Sequence, residues 1–127
     1  DYDPVVRRLP SVIWIGGGEV RTILARAACV VTVNSTVGIE AMIFGKPVVT
    51  LGNNFYTHSG LTYPVREATE LPHQLRHAMS EPPDTWLTQQ YLRYLYYEAF
   101  VPAHWRDYSA ASLGTMAKRL RALIETA

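Results

Sequence analysis

The sequence predicts an α/β fold: a Rossmann-like parallel sheet with flanking helices and a helical C-terminal tail. Two observations predict it. Short β-branched apolar runs alternate with segments of helical periodicity through the first half of the chain, which is typical of βαβ units with right-handed crossovers. The runs are also almost uniformly apolar, as expected for parallel strands that are buried on both faces.

The predicted strands are "SVIWIG" (11–16, centred on 12–15), "CVVTV" (29–33), "PVVTLG" (47–52) and the shorter "LTYPV" (61–65). The predicted helices span 19–28, 36–45, 70–80, 84–100 and 109–125. Val20, Ile23, Leu24 and Ala27 recur at helical spacing in the first of these helices. Gly45 is a typical C-terminal stop for the second helix, and Pro47 prevents its continuation.

Length and composition limit the function classes. The 127 residues fit a single domain, 1–127, and the net charge of +1 gives no electrostatic basis for nucleic-acid binding. Cys29 is the only cysteine, so no internal disulfide can form, and we expect a buried, unreactive thiol. The chain begins at Asp1 without a Met, and we therefore expect it to be part of a longer protein.

A polar segment, "NSTVGIE" (34–40), stands between two of the apolar runs. In an open parallel sheet, ligands bind beyond the carboxyl ends of the strands, where the following helix presents N–H groups and a positive dipole end. Ser35 and Thr36 add hydroxyls, and Gly38 would let a ligand approach the backbone. These features together suit a phosphate group.

A purely structural interpretation stays open. Ser35 or Thr36 could simply cap the helix, Gly38 could permit tight packing, and Glu40 could be solvated in the first turns. A capping box would place Glu or Gln at position 38 or 39, but these positions hold Gly and Ile. Glu40 is therefore not required by a cap and could accept hydrogen bonds from ligand hydroxyls.

The segment 31–65 resembles the donor half of bacterial capsule polysaccharide biosynthesis proteins, through "NSTVGIEA", "GKPVVTLG" and "FYTHSGLT". The family resembles GT-B glycosyltransferases, and characterised relatives transfer Kdo from CMP-Kdo. The resemblance implies a C-terminal GT-B half that binds a CMP-sugar and acts on a saccharide or glycolipid acceptor through another domain. It also implies a cytoplasmic location, either free or peripheral at the inner membrane in a capsule complex.

Site residues are carried over by the same resemblance. Ser35, Thr36 and Gly38 would form the phosphate turn, and Glu40 would bind the ribose hydroxyls. Asn34, at the start of the same segment, is a further substrate-binding candidate. The loop Ile15–Gly16–Gly17 would lie near the base. His58, in "FYTHSGL", is a further candidate for contact with the sugar or the phosphate, or else a surface loop residue.

The chain also departs from related enzymes. Many CMP-sugar enzymes have a His-Pro pair upstream, and none occurs here, since the histidines are His58, His73, His77 and His104. The catalytic residues are unknown, and the chain alone is not expected to catalyse transfer. No metal or other cofactor is predicted, because His73 and His77 have helical spacing but no third ligand nearby.

Three hypotheses follow from the sequence. The chain is the donor-binding half of a capsule glycosyltransferase, a non-catalytic nucleotide-binding domain, or an interaction module of capsule assembly whose turn only caps a helix.

Overall fold

The computed structural model describes residues 3–101, 103 and 106–125. The helices of the described chain are α1 (Asp3–Val6), α2 (Val20–Arg26), α3 (Val37–Ile43), α4 (Leu71–Ser80), α5 (Thr85–Tyr94) and α6 (Ala110–Glu125). A 3₁₀ turn, Ala68–Glu70, leads into α4, and a π-helical turn, Leu95–Ala99, continues α5. His104 lies outside the described residues.

Three parallel strands form the sheet of the described chain: β1 (Val30–Thr32), β2 (Val48–Thr50) and β3 (Tyr63–Pro64). They lie in the order β1-β2-β3, so that β2 is central. Val30 pairs with Val48 and Thr32 with Thr50, while Val49 pairs with Tyr63. The predicted α/β class with a parallel sheet, flanking helices and a C-terminal helix is therefore confirmed.

The predicted strand at 11–16 is wrong. Residues 12–15 form no regular structure, and the side chains of Ile13, Trp14 and Ile15 are all exposed, Ile13 by 83%. A strand is stabilised by ladder hydrogen bonds to a neighbour, and the strand pairs of the described chain join only β1 to β2 and β2 to β3. An apolar β-branched run is thus not sufficient to make a strand here.

The core lies on both faces of β2. Val48 packs in a cluster with Leu24, Met42 and Tyr56, which joins α2 and α3 to the sheet. Val49 packs on the opposite face against Tyr63 and against Ala78 of α4, with other apolar side chains around them. Burial on both faces explains why the middle strand begins with two valines, and its last residue, Thr50, is buried as well.

The other predicted elements form with shorter bounds. Residues 84–100 become α5 and its π-helical turn, with Asp84 as N-cap through hydrogen bonds from the N–H groups of Trp86 (2.7 Å) and Leu87 (3.1 Å). Cys29 is half-buried, and burial raises the pKa of its thiol, which agrees with the expected unreactive state.

Candidate functional site

The polar residues of interest meet at the carboxyl edge of the sheet. Asn34 follows β1, Gly52 follows β2, and Arg66 follows β3. Because the three strands are parallel, their carboxyl ends point to one edge, where ligands of open α/β sheets bind.

Asn34 packs closely against Gly52. A Cβ atom on Gly52 would collide with the Asn34 side-chain amide and would lie 2.8 Å from the Val33 carbonyl oxygen. The same carbonyl accepts a hydrogen bond from Asn54 Nδ2 at 3.2 Å. The loops that follow β1 and β2 are thereby held together, and Gly52 is required for this close approach.

Ser35 and Thr36 have different roles at the start of α3. The Ser35 hydroxyl accepts the N–H of Val37 at 3.3 Å, and its own N–H donates to Thr32 Oγ1 at 3.3 Å. Thr36 occupies the N-cap position, but its side chain makes no capping hydrogen bond. Both residues are exposed. Ser35 therefore serves the local structure, whereas the Thr36 hydroxyl is available to a ligand.

The N–H groups of the first turn are not unpaired, in contrast to the expectation from the sequence. Gly38 N–H donates to the Ser35 carbonyl at 3.1 Å, and Ile39 N–H donates to the Thr36 carbonyl at 2.9 Å. Bonds between residues three apart tighten the turn and satisfy donors that an ideal α-helix would leave open. A phosphate at this turn would therefore rely more on side-chain donors.

Gly38 is explained by Tyr56 rather than by access for a ligand. A Cβ atom on Gly38 would lie 2.6 Å from ring atoms of Tyr56, which is only 1% exposed. The Tyr56 hydroxyl donates a hydrogen bond to the Ser35 carbonyl. The Tyr56 ring thus packs against the turn and holds it in place. Gly38 is needed for this tight packing, which is one of the two interpretations that the sequence allowed.

Glu40 lies one turn further along α3 and is half-buried. Its backbone N–H donates to the Thr36 carbonyl at 3.3 Å. Its carboxylate forms no hydrogen bond or ion pair with another described residue, so it remains available to hydroxyl donors.

The remaining predicted residues have contacts of their own. His58 Nε2 faces the Phe55 carbonyl at 3.0 Å, and the imidazole lies 5.7 Å from the ring of Tyr91 on α5. Ile15, Gly16 and Gly17 lie on the exposed irregular segment before α2. A Cβ atom on Gly16 would lie 4.0 Å from Trp14 Nε1.

A cavity of about 560 Å³ opens at the carboxyl ends of β2 and β3. It is lined by Thr50, Leu51, Gly52, Asn53, Thr57, Ser59, Pro64, Val65 and Arg66. Sequence reasoning assigned no role to most of these residues. The available signal was the polar loop that follows the 47–52 strand, which occupies the same position relative to its strand as "NSTVG" does.

No centre of metal-ligand type occurs in the described residues: nowhere do three or more His, Cys, Asp or Glu side chains group together. The His73 and His77 rings lie 6.0 Å apart on α4, and His77 Nε2 is 3.5 Å from the Glu81 carboxylate. In the same described part of the chain, no helix is both long and apolar enough to cross a membrane.

Comparison with known proteins identifies the family. The family model described as "Capsule polysaccharide biosynthesis protein" matches residues 8–104, which include the sheet, the turn after β1 and the cavity. The chain belongs to this family. The match covers most of the chain, and it includes the three sequence motifs that carried the resemblance.

Two curated relatives share shorter segments. The chain is 36% identical over 69 residues to the capsule polysaccharide export protein KpsS of Escherichia coli, covering 49% of this chain and 18% of that protein. It is 47% identical over 47 residues to the protein FixF of Sinorhizobium fredii, covering 37% of this chain and 12% of that protein. The matched segments thus span less than a fifth of either relative. No solved structure matches the chain.

Proposed function

We propose that this chain is the donor-binding part of a glycosyltransferase in capsular polysaccharide biosynthesis, with a CMP-activated sugar such as CMP-Kdo as the donor. The acceptor is a saccharide or glycolipid held by a further domain, and the enzyme works in the cytoplasm or at the inner membrane with other capsule proteins. Membership of the capsule polysaccharide biosynthesis family supports the pathway.

One observation carries the assignment of the donor site to Asn34–Glu40. The Thr36 hydroxyl stands exposed at the carboxyl edge of the sheet, at the N-cap position, without serving as the cap. A hydroxyl that the fold does not use is available to donate to a phosphate oxygen. Glu40, one turn further along, has a carboxylate that no other described residue engages, so it can accept from ribose hydroxyls.

In this proposal, each residue has a separate task. Thr36 donates to the phosphate, Ser35 shapes the turn that presents it, and Glu40 orients the ribose. The helix dipole adds a favourable interaction with the negative charge. These residues bind and orient the donor, and the group that activates the acceptor lies elsewhere.

Calorimetric titration of the full-length protein with CMP tests the proposal. A charge-assisted hydrogen bond contributes roughly 1.5–3 kcal/mol, so Thr36→Ala should weaken CMP binding about tenfold or more. Glu40→Gln should also weaken binding, because it keeps the shape and removes the charge. Thr69→Ala, at an exposed threonine in the 3₁₀ turn before α4, and Glu125→Gln, at the end of α6, are the matched controls.

Unchanged CMP affinity in both site variants, with folding preserved, would show that residues 34–40 only begin a helix. The second candidate is a non-catalytic nucleotide-binding or interaction module of capsule assembly or export. It is favoured by the similarity to a protein named for capsule polysaccharide export. An assay of sugar transfer from CMP-Kdo separates the two, since a nucleotide-binding module would bind CMP without transfer and an interaction module would do neither.

A further inference from the structure

The cavity after β2 and β3 contains unused hydrogen-bond donors. The side chains of Asn53, Ser59 and Arg66 line it, and none of them forms a hydrogen bond or ion pair with another described residue. Its volume of about 560 Å³ lies within the range of small-molecule sites, roughly 300–1,000 Å³. These three donors are available at the wall of a space large enough for a sugar.

Other polar groups around the cavity hold its shape. Thr57 Oγ1 donates to the Gly52 carbonyl at 3.1 Å and accepts the N–H of Asn54 at 3.2 Å. These bonds tie the loop after β2 to itself, so the wall of the cavity is built before any ligand arrives. The Thr57 hydroxyl is therefore structural, unlike that of Ser59.

Charge in the cavity favours an anion. Among the described residues, Arg66 is the cation of the lining and no acidic residue lines the cavity. The acidic residue with an electrostatic interaction with Arg66 is Glu70. Its carboxylate accepts hydrogen bonds from the backbone N–H groups of Arg66 (2.8 Å) and Glu67 (3.4 Å). These bonds lower the pKa of Glu70 and hold its carboxylate on the backbone. The Arg66 guanidinium interacts electrostatically with this carboxylate but forms no ion pair with a described residue.

Thr50 adds an independent observation. It lines the cavity and is 1% exposed, and its hydroxyl has no hydrogen-bond partner in the described structure. A buried hydroxyl without a partner is unfavourable, and such groups are uncommon in native proteins. Thr50 therefore places a buried polar group next to the cavity.

We propose that this cavity binds the acidic group of a hydroxylated small molecule, either a sugar carboxylate or a sugar phosphate. Arg66 pairs with the anionic group through its planar donor fork. Asn53 and Ser59 bind the ligand's hydroxyls, with Thr50 beneath them. None of these residues is among those assigned to CMP, so binding in the cavity does not depend on CMP binding.

Ligand-observed saturation-transfer NMR on the full-length protein tests this with glucuronate, glucose 6-phosphate and neutral glucose as probes. We expect saturable binding of at least one anionic probe and much weaker binding of glucose. Binding of glucuronate alone would identify a carboxylate site, and binding of glucose 6-phosphate alone a phosphate site. Since no probe carries a nucleobase, the result is independent of the CMP titration.

Variants of Arg66 test whether the anionic probe binds in the cavity. Arg66→Gln should weaken the anionic probe about tenfold or more, and Arg66→Lys should lose less, because it keeps the charge without the fork. Arg76→Gln, at an exposed arginine of α4 outside the cavity, is the control and should bind as the wild type does. Circular dichroism checks that each variant is folded. Equal binding of glucose and the anions, no saturable binding, or equal losses in Arg66→Gln and Arg76→Gln would overturn the proposal.

Discussion

The turn after β1 and the cavity after β2 and β3 lie at the same edge of the sheet but use their polar groups differently. In the turn, Ser35 and the N–H groups of Gly38 and Ile39 are bonded within the protein, and Thr36 and Glu40 retain free side chains. In the cavity, several side-chain donors and one buried hydroxyl have no partner among the residues that the structure describes. A polar motif in a sequence can therefore be largely structural while a less conspicuous loop presents the open donors.

The largest expected effect on stability is that of substituting Gly38. If the turn after β1 is mainly structural, Gly38 is required for packing and not for access of a ligand. Gly→Ala within a helix usually stabilises a protein by about 1 kcal/mol. In Gly38→Ala, the new Cβ would meet the buried Tyr56 ring, and we expect destabilisation by roughly 1–3 kcal/mol. Urea unfolding measures the change in the free energy of unfolding.

Gly114→Ala is the matched control. Gly114 lies within α6 and a Cβ atom there would have no neighbour within 4 Å, so the variant should be stabilised by up to about 1 kcal/mol. A Tyr56→Leu background should reduce the cost of Gly38→Ala, because it removes the ring atoms that clash. Stabilisation by Gly38→Ala in the wild-type background would contradict the packing role.

The second prediction compares the stability changes caused by substituting two threonines that are paired across the sheet. Thr32 and Thr50 are register partners in β1 and β2, and both are buried. The Thr32 hydroxyl accepts the N–H of Ser35, whereas the Thr50 hydroxyl has no partner. Thr32→Val should therefore cost about 1 kcal/mol of stability, and Thr50→Val should be neutral or stabilising by about the same amount.

Thermal and urea unfolding of the two variants, measured without ligand, show whether Thr32→Val lowers the free energy of unfolding while Thr50→Val leaves it unchanged or raises it. A loss of stability in Thr50→Val as large as that in Thr32→Val would mean that Thr50 is already satisfied in the free protein. The buried hydroxyl next to the cavity would then not be an unsatisfied group.

Sequence patterns predicted the sheet better than the site. The apolar runs at 29–33, 47–52 and 61–65 became strands because each has a parallel neighbour, but the equally apolar run at 11–16 did not. Strand formation depends on a pairing partner, which local composition does not reveal. The helix starting near position 36 was predictable from periodicity and from Gly45.

The sequence could not predict the contacts of site residues where long-range packing decides them. From the sequence, Gly38 could serve either ligand access or tight packing. The structure places Tyr56, which is 18 positions later in the sequence, against it. His58 was placed near the strand ends by its loop, yet its ring packs toward Tyr91. Arg66 had no motif around it, and its position at the cavity follows from the end of β3.

The smallest expected effect separates the two hydroxyls of the turn. Ser35 Oγ accepts the Val37 N–H, so Ser35→Ala should destabilise the protein by about 0.5–1 kcal/mol, as for the loss of a helix cap. The Thr36 side chain makes no such bond, and Thr36→Ala should change stability by less than about 0.5 kcal/mol. The order is the reverse of that expected for donor binding, where Thr36 should matter more. Measuring unfolding free energy and CMP affinity on the same two variants tests both halves of the argument. If Thr36→Ala proved the more destabilising variant, its hydroxyl would be a cap after all, and the main reason to assign it to a phosphate would be lost.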